Sequence, residues 1–335
     1  MSHKFYPDIG GIEVNSKIFA EAFYEAGHEI RLLTWTKERG DKQFPFVIIR
    51  NPNFFNIWRN HLWAEVVLEN NPSLKLSWPI IVLKKPHVTA LCTWINRVDG
   101  SIAWQDKLKR WWLKKCSVVI AVSDAIRKKC YPEAIVISNP YNDNLFRIIP
   151  DIKKDRDFVF LGRLVSDKGV DIAIRALSRI WAERKELVSN AAFTIIGDGP
   201  EKRSLESLVK QFGIESRVSF VGPLKGEELV RCLNRHKFII VPSVWEEPFG
   251  NVALEGMGCG CVPIVSDGGG LPTAVGDAGL TFTRGSVEAL VEAIVKVTSD
   301  INLQIELQAN AKEHLELHRP EVIAGKYLDV MEKVI

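Results

Sequence analysis

Apolar residues fall into short runs of strand length, separated by stretches with the three-to-four-residue spacing of a helix. In the first half EIRLLT (29–34), FVIIR (46–50), AEVVLE (64–69), HVTALC (87–92), SVVIAVS (117–123) and AIVIS (134–138) predict strands. Residues 12–26 carry Ile12, Ile18, Phe19, Ala22 and Phe23 at helical spacing and stop at Gly27, and 98–113 predicts a second helix. In the second half the predicted strands are FVFLG (158–162), AFTIIG (192–197), RVSFVG (217–222), KFIIVPS (237–243) and CVPIVS (261–266). Helices are expected near 168–184, 200–212, 225–235 and 249–258, and again at 286–299, 302–317 and 320–335.

Strands alternating with helices imply α/β architecture with mostly parallel sheets. NPYNDNLFRIIPD (139–151), with prolines at both ends and little periodicity, reads as a linker. The chain therefore divides into two doubly wound domains facing a central cleft: 1–150, 151–318, and a terminal helix at 319–335 placed to cross back to the first. In such a domain the helix at 12–26 follows a strand, yet only Met1, Ser2 and His3 stand before the glycine turn. The first N-terminal strand is thus expected to be missing, with an upstream apolar segment of about five residues completing it.

Composition adds an asymmetry. Residues 1–150 hold 21 Lys/Arg against 14 Asp/Glu, residues 151–335 hold 23 against 27, and eight of the ten tryptophans lie in the first half. A basic, Trp-rich half suits an anionic acceptor or a membrane surface, or is ordinary surface charge. Within it QDKLKRWWLKK (105–115) reads either as a helix packed through Leu108, Trp111, Trp112 and Leu113 or as a peripheral membrane contact. Trp58, Trp63, Trp78 and Trp94 are core residues or platforms for an acceptor sugar. The six cysteines form no CxxC pair and no zinc-finger spacing, so reduced, buried thiols in a cytoplasmic protein are expected. No apolar run is long enough to span a bilayer, and nucleic-acid motifs and Ser/His/Asp triads find no support.

Candidate chemistry lies in the loops after the second-half strands, where ligands of doubly wound sheets bind. Arg163 and Lys168 flank a helix start, two cations suited to a diphosphate. Gly197-Asp198-Gly199-Pro200 is not a dinucleotide fingerprint; it admits a flat base or is a plain turn. VPSVWEEPFGNVALEGMGCGCVPIVSD (241–267) reads as strand, acidic loop, helix, strand. In it Glu247 and Glu255 bracket a helix start at Gly250, Asn251 and Val252, and are separated by roughly 12 Å if the intervening residues are helical. Such carboxylates suit sugar hydroxyls, and such a helix start suits phosphate.

These residues carry a resemblance. GRLVSDKGVD (162–171), IIGDGPE (195–201) and EPFGNVALE (247–255) resemble the E-x7-E retaining glycosyltransferases of family 4 (GT4), of GT-B fold, with two Rossmann-like domains. FYPDIGGIE (5–13), VIAVSD (119–124) and ISNP (137–140) extend the likeness over nearly the whole chain. The resemblance implies transfer of a hexose from a nucleotide-sugar to a glycan or lipid-linked glycan, with retention of configuration, no metal and no cofactor. Arg163 and Lys168 would hold the diphosphate, Glu247 the donor sugar and Glu255 the ribose. Gly199 and Pro200 would lie near the base, Gly250, Asn251 and Val252 beside phosphate, and Gly10 and Gly11 opposite the donor phosphates. The protein would be cytoplasmic, peripheral at the inner face of a membrane if 105–115 makes that contact.

Asp155-Arg156-Asp157 spells the metal motif of another glycosyltransferase fold but precedes a strand, and reads as a solvated turn. One departure concerns the strand KPHVTALCTW, where the family commonly places a histidine and this chain has Cys92. His87, five residues earlier, has the opposite side-chain parity, and a thiol donates only weakly. An inactive, nucleotide-sugar-binding paralogue is therefore the alternative; a nucleotide-sugar epimerase ranks below it, because the E-x7-E spacing argues against it.

Overall fold

Backbone polar groups of buried apolar runs must pair along a ladder, and among the described residues the strands pair in parallel. The computed structural model describes residues 1–8, 10–38, 42–95, 103–183 and 192–335; residues 98–102 and 184 of the expected helices lie outside them. The chain forms two units, Met1–Pro140 with His318–Ile335, and Tyr141–Leu317.

The first unit runs α1 (Gly11–Glu25), β1 (Arg31–Thr34), β2 (Val47–Arg50), α2 (Phe54–Trp63), β3 (Val67–Asn70), α3 (Leu74–Ser77), α4 (Pro79–Leu83), β4 (His87–Leu91), α5 (Trp104–Leu113), β5 (Val118–Ala121), α6 (Asp124–Cys130) and β6 (Ile135–Val136). Its strands form a β1-β2 pair and a β3-β4-β5-β6 sheet. Between the two lie the first residues of the chain: Ser2 donates to Leu33 O at 3.1 Å, and Asn70 N donates to Met1 O at 2.9 Å. Three residues thus stand where the sequence pattern asks for a strand.

The second unit runs β7 (Arg156–Leu161), α7 (Val170–Glu183), β8 (Phe193–Ile196), α8 (Lys202–Gln211), β9 (Val218–Gly222), α9 (Gly226–Asn234), β10 (His236–Val241), α10 (Asn251–Gly258), β11 (Val262–Ser266), α11 (Leu271–Val275), β12 (Leu280–Phe282), α12 (Val287–Ser299) and α13 (Ile301–Glu316). Strand order is β12-β11-β10-β7-β8-β9, so the direction of winding reverses between β7 and β10. The division falls at Pro140/Tyr141, ahead of the expected 150, because the linker packs on the second unit. Phe146 joins the core of β10 and β11, Asn234 Oδ1 accepts from Ile149 N at 2.7 Å, and Asn234 Nδ2 donates to Arg147 O at 2.9 Å.

The last helix, α14 (Pro320–Glu332), belongs to the first unit. Tyr327 is fully buried with its ring 4.5 Å from that of Phe19 on α1, and the return point is held by His318 Nδ1 donating to Asn139 O at 2.8 Å.

A buried carboxylate ties β3, β4, α3 and α5 together. Glu69 Oε1 accepts from Ser77 Oγ at 2.7 Å and from Ser73 N; Oε2 accepts from Trp112 Nε1 at 3.0 Å and Thr89 Oγ1 at 3.1 Å and lies 3.2 Å from His87 Nε2. Burial alone would raise the Glu69 pKa, but the bond and charge of His87, with the Ser73 and Ser77 bonds, hold it below the ordinary value. Glu69→Ala orphans all these donors at once. We expect it to cost on the order of 3–5 kcal/mol, read by hydrogen exchange as early loss of amide protection in β3 and β4.

Candidate functional site

The point of reversal between β7 and β10 brings two loops side by side. Asp167, in the 3-10 turn Ser166–Lys168 after β7, accepts through its carbonyl from Val244 N at 2.9 Å and Trp245 N at 3.2 Å in the loop after β10. Gly169 has φ +63, and a Cβ there would lie 2.1 Å from Pro242 O; only glycine lets the two backbones approach this closely. The approach places Lys168 Nζ against Glu247 Oε1, an ion pair, with Ser243 Oγ donating to the same oxygen at 2.8 Å. Glu247 is 8% exposed, whereas the Lys168 side chain is 25% exposed, so the carboxylate side of the pair is shielded from water and the ammonium side is partly open.

The Glu247 segment is held from behind by the loop after β11. Gly270 N donates to Glu247 O at 2.7 Å, and at Gly269, φ +65, a Cβ would fall 2.2 Å from Glu247 O. Ser266 Oγ donates to Ser243 O at 2.7 Å, and Arg284 Nη1 pairs with Glu246 Oε1 at 3.2 Å. Sequence reasoning gave Ser243, Ser266, Arg284 and the 268–270 glycines no part. The signal lay in the strand-end serines and in GGG following CVPIVS.

Helix α10 starts at Asn251, after Gly250 in a left-handed conformation, so Pro248–Gly250 lie outside the helix and the 12 Å rise estimate for Glu247 to Glu255 does not apply. Glu255 sits in the second turn. Its carboxyl makes no hydrogen bond or ion pair with the described residues, and burial pushes its pKa up to about 7. Arg163, just past β7, is exposed and forms no ion pair among the described residues. The Gly199-Pro200 loop lies alongside it, with Leu164 N donating to Asp198 O at 2.9 Å and Glu201 N donating to Leu164 O at 3.0 Å. Lys154 Nζ caps the far end of α10 by donating to Cys259 O at 3.1 Å, and also reaches His236 O at 2.7 Å and Asn234 O at 3.4 Å.

The structure thus gathers Arg163, Lys168, Gly199, Pro200, Glu247, Gly250, Asn251, Val252 and Glu255 on loops and a helix start at the carboxyl edge of one sheet. Gly10, Gly11 and Cys92 belong to the first unit. Gly10 is the extended residue ahead of α1, and Gly11 opens that helix. Cys92 follows β4; its Sγ donates to Asn70 Oδ1 at 3.0 Å, and burial pushes the thiol up to about 12. His87 is committed to the Glu69 network.

Other motifs resolve individually. Asp155 pairs with Arg235 at 2.6 Å and Asp157 with Lys237 at 2.9 Å, at the start of β7. Trp58 and Trp78 stack on each other at 5.7 Å, and the Arg31 guanidinium lies 3.9 Å over Trp63. Helix α5 packs through two of the four residues expected to do so: Trp112 and Leu113 are buried, whereas Leu108 and Trp111 are exposed, with Trp104, beside Lys107, Lys114 and Lys115. All six cysteines are free, Cys259 and Cys261 pack in the core of the second unit, and no metal-ligating cluster occurs among the described residues. No helix among the described residues is long and apolar enough to cross a membrane.

A family model described as glycosyl transferases group 1 matches residues 142–314, just over half of the chain. An uncharacterized glycosyltransferase of Methanocaldococcus jannaschii is 32% identical over 48% of this chain and 40% of its own length. The D-inositol 3-phosphate glycosyltransferase of Stackebrandtia nassauensis is 31% identical over 52% and 42%. The chain thus spans less than half the length of these two relatives. N-acetyl-alpha-D-glucosaminyl L-malate synthase of Bacillus anthracis is 24% identical over 98% of this chain and 96% of its own. Among solved structures, Anabaena HepE in complex with UDP and glucose superposes with a TM-score of 0.78 at 17% identity, covering 99% of this chain and 98% of that one. The sucrose-phosphate synthase of Thermosynechococcus elongatus gives 0.77 at 21% identity, covering 97% and 93%. The fold is GT-B.

Glu255 supplies a pH test. A carboxyl whose pKa rises from 4.5 to about 7 on folding binds its proton more tightly in the folded state, so stability is full below pH 4.5 and falls as pH rises to about 7. Glu255→Gln removes that slope. Relative to the parent, the variant should gain about 2 kcal/mol between pH 5 and pH 8 in urea unfolding; a pH-independent difference contradicts the assignment.

Proposed function

Because the chain belongs to the group 1 glycosyl transferases, we propose that it moves a hexose from a nucleotide-sugar to a glycan or lipid-linked glycan acceptor, with retention of configuration and without a metal. The observation that carries the reading is the meeting of Lys168 and Glu247 at the point where the winding of the sheet reverses, the place where doubly wound sheets take their ligands.

In this reading the donor diphosphate lies against Arg163, Lys168 and the start of α10 at Gly250, Asn251 and Val252. Lys168 exchanges its contact with Glu247 for phosphate oxygen, which frees Glu247 to accept hydroxyl protons of the donor sugar. The ribose hydroxyls donate to Glu255, whose unpartnered carboxyl is suited to them when ionised. The base lies over Gly199-Pro200. For Gly10 and Gly11, the resemblance alone supports a role toward the phosphates. The acceptor oxygen attacks from the face the diphosphate leaves, and a departing phosphate oxygen takes its proton. Charge then accumulates on the diphosphate, and the two cations and the helix dipole stabilise it. In this reading that positive charge stands in place of a metal.

Cys92 favours one second reading, a donor-binding protein without turnover, because a neutral thiol committed to Asn70 cannot serve the reacting sugar as a histidine does. Release of nucleoside diphosphate from uridine, guanosine and adenosine diphosphate sugars distinguishes the two. Turnover is expected with one of the three, falling by roughly 100-fold in Lys168→Ala and in Glu247→Ala. Wild-type rates in both variants overturn the site. Binding without release, in the parent and in Cys92→His alike, supports the second reading.

The exposed side of α5 supports peripheral contact with an anionic membrane: Trp104 is 70% and Trp111 45% exposed, flanked by lysines. Co-sedimentation with phosphatidylglycerol vesicles should drop several-fold in the double variant Trp104→Ala, Trp111→Ala, and should weaken with salt. Equal sedimentation of parent and variant contradicts the contact.

A further inference from the structure

Helix α10 is eight residues long, about 12 Å, so a charge at its carboxyl end is felt by anything bound at its start. The carbonyls of that end need donors from outside the helix, and the backbone supplies most of them. Cys259 N donates to Glu255 O at 3.3 Å and to Gly256 O at 3.1 Å, Gly260 N to Met257 O at 2.8 Å, and Cys261 N to Gly256 O at 2.9 Å. The next carbonyl, Cys259 O, takes the Lys154 ammonium instead, at 3.1 Å.

The same ammonium donates to His236 O at 2.7 Å and to Asn234 O at 3.4 Å, so its three N–H groups are divided among the ends of α9 and α10 and the first residue of β10. Gly260 leaves room for this, since a Cβ there would lie 3.2 Å from Lys154 Cε. Lys154 precedes β7 by two residues, and β7 pairs with β10 through Arg156 opposite His236. One side chain therefore pins α10 to the two central strands of the sheet, at the edge opposite Lys168 and Glu247.

Three carbonyl oxygens satisfy the ammonium as a donor but leave its charge in place. Among the described residues Lys154 has no carboxylate partner; the nearby acids Asp155 and Asp157 pair with Arg235 and Lys237. His236 adds no opposing charge, because burial pushes its pKa down to about 4, with Arg156, Lys154 and Arg235 acting in the same direction. A cation in this position offsets the negative pole of α10 and leaves the positive pole at Gly250–Val252 unopposed.

We propose that Lys154 is a positioning residue for the donor: it fixes α10 in place and, through the charge it keeps, tightens the hold of the helix start on phosphate, given the reading in which the donor diphosphate lies there. A residue that only held backbone would, when lost, weaken every nucleotide alike. A charge acts in proportion to the charge of the ligand.

Equilibrium binding of uridine, guanosine and adenosine diphosphates and of the matching monophosphates separates the two roles, with the base that the parent binds best carried through Lys154→Met, Lys154→Gln and Lys154→Arg. Lys154→Met is expected to lose roughly tenfold on the diphosphate and roughly threefold on the monophosphate, with Lys154→Arg within about twofold of the parent on both. Lys154→Gln keeps an N–H₂ donor for the carbonyls without the charge; it should show the same unequal losses, and it carries the test if Lys154→Met does not fold. Equal losses on the two ligands, or none, overturn the role of Lys154 and leave the donor site standing. Failure of the parent to bind any of the diphosphates overturns the donor reading together with it.

Discussion

The second unit depends on backbone meeting backbone. Parallel strands all end at one edge, and the loops leaving that edge can be laced together only where no side chain intervenes. Gly169 lies on Pro242, and Gly269 lies on Glu247. These contacts make the three loops after β7, β10 and β11 one body. Glu247 therefore sits on backbone held from both sides, with Lys168 supplied by one neighbour and support by the other. A site assembled this way is stiff before any ligand arrives, which keeps the ordering cost of binding small.

Three carboxylates show how environment divides labour among identical groups. Glu69 is saturated with donors and ionised in the core, where it joins strands to helices. Glu247 is bound to one lysine and one serine at the edge of the sheet. Glu255 has no partner among the described residues, and burial pushes its pKa up to about 7. Charge satisfied within the fold serves architecture, and charge left unsatisfied is available to a substrate.

Much of the fold was legible in the sequence because buried parallel strands announce themselves as continuous apolar runs. KFIIVPS, CVPIVS and HVTALC all became strands, within a residue or two at each end. Helices α2, α3 and α4 escaped notice because 54–83 is short-segmented and aromatic, so no long period develops. Strand β12 is three residues long and carries no pattern. Glu69 closed a predicted strand, but nothing in a lone acidic residue says that His87, Thr89, Ser77 and Trp112 will converge on it. On the site side, charged residues at strand ends were legible from their positions. The Lys168–Glu247 pairing and the Ser243 and Ser266 bonds were not, since they depend on strand order, which winds from β9 to β7 and resumes at β10.

The return of α14 to the first unit has a consequence for how the chain is made. Tyr327 and its neighbours complete the core against α1, yet they are synthesised only after the whole of the second unit. The second unit is contiguous in sequence and can finish folding while the first still waits for its closing helix. Synthesis order and folding order thus run opposite to each other for the two halves, and the amino-terminal half is the one that stays exposed to chaperones and proteases longest.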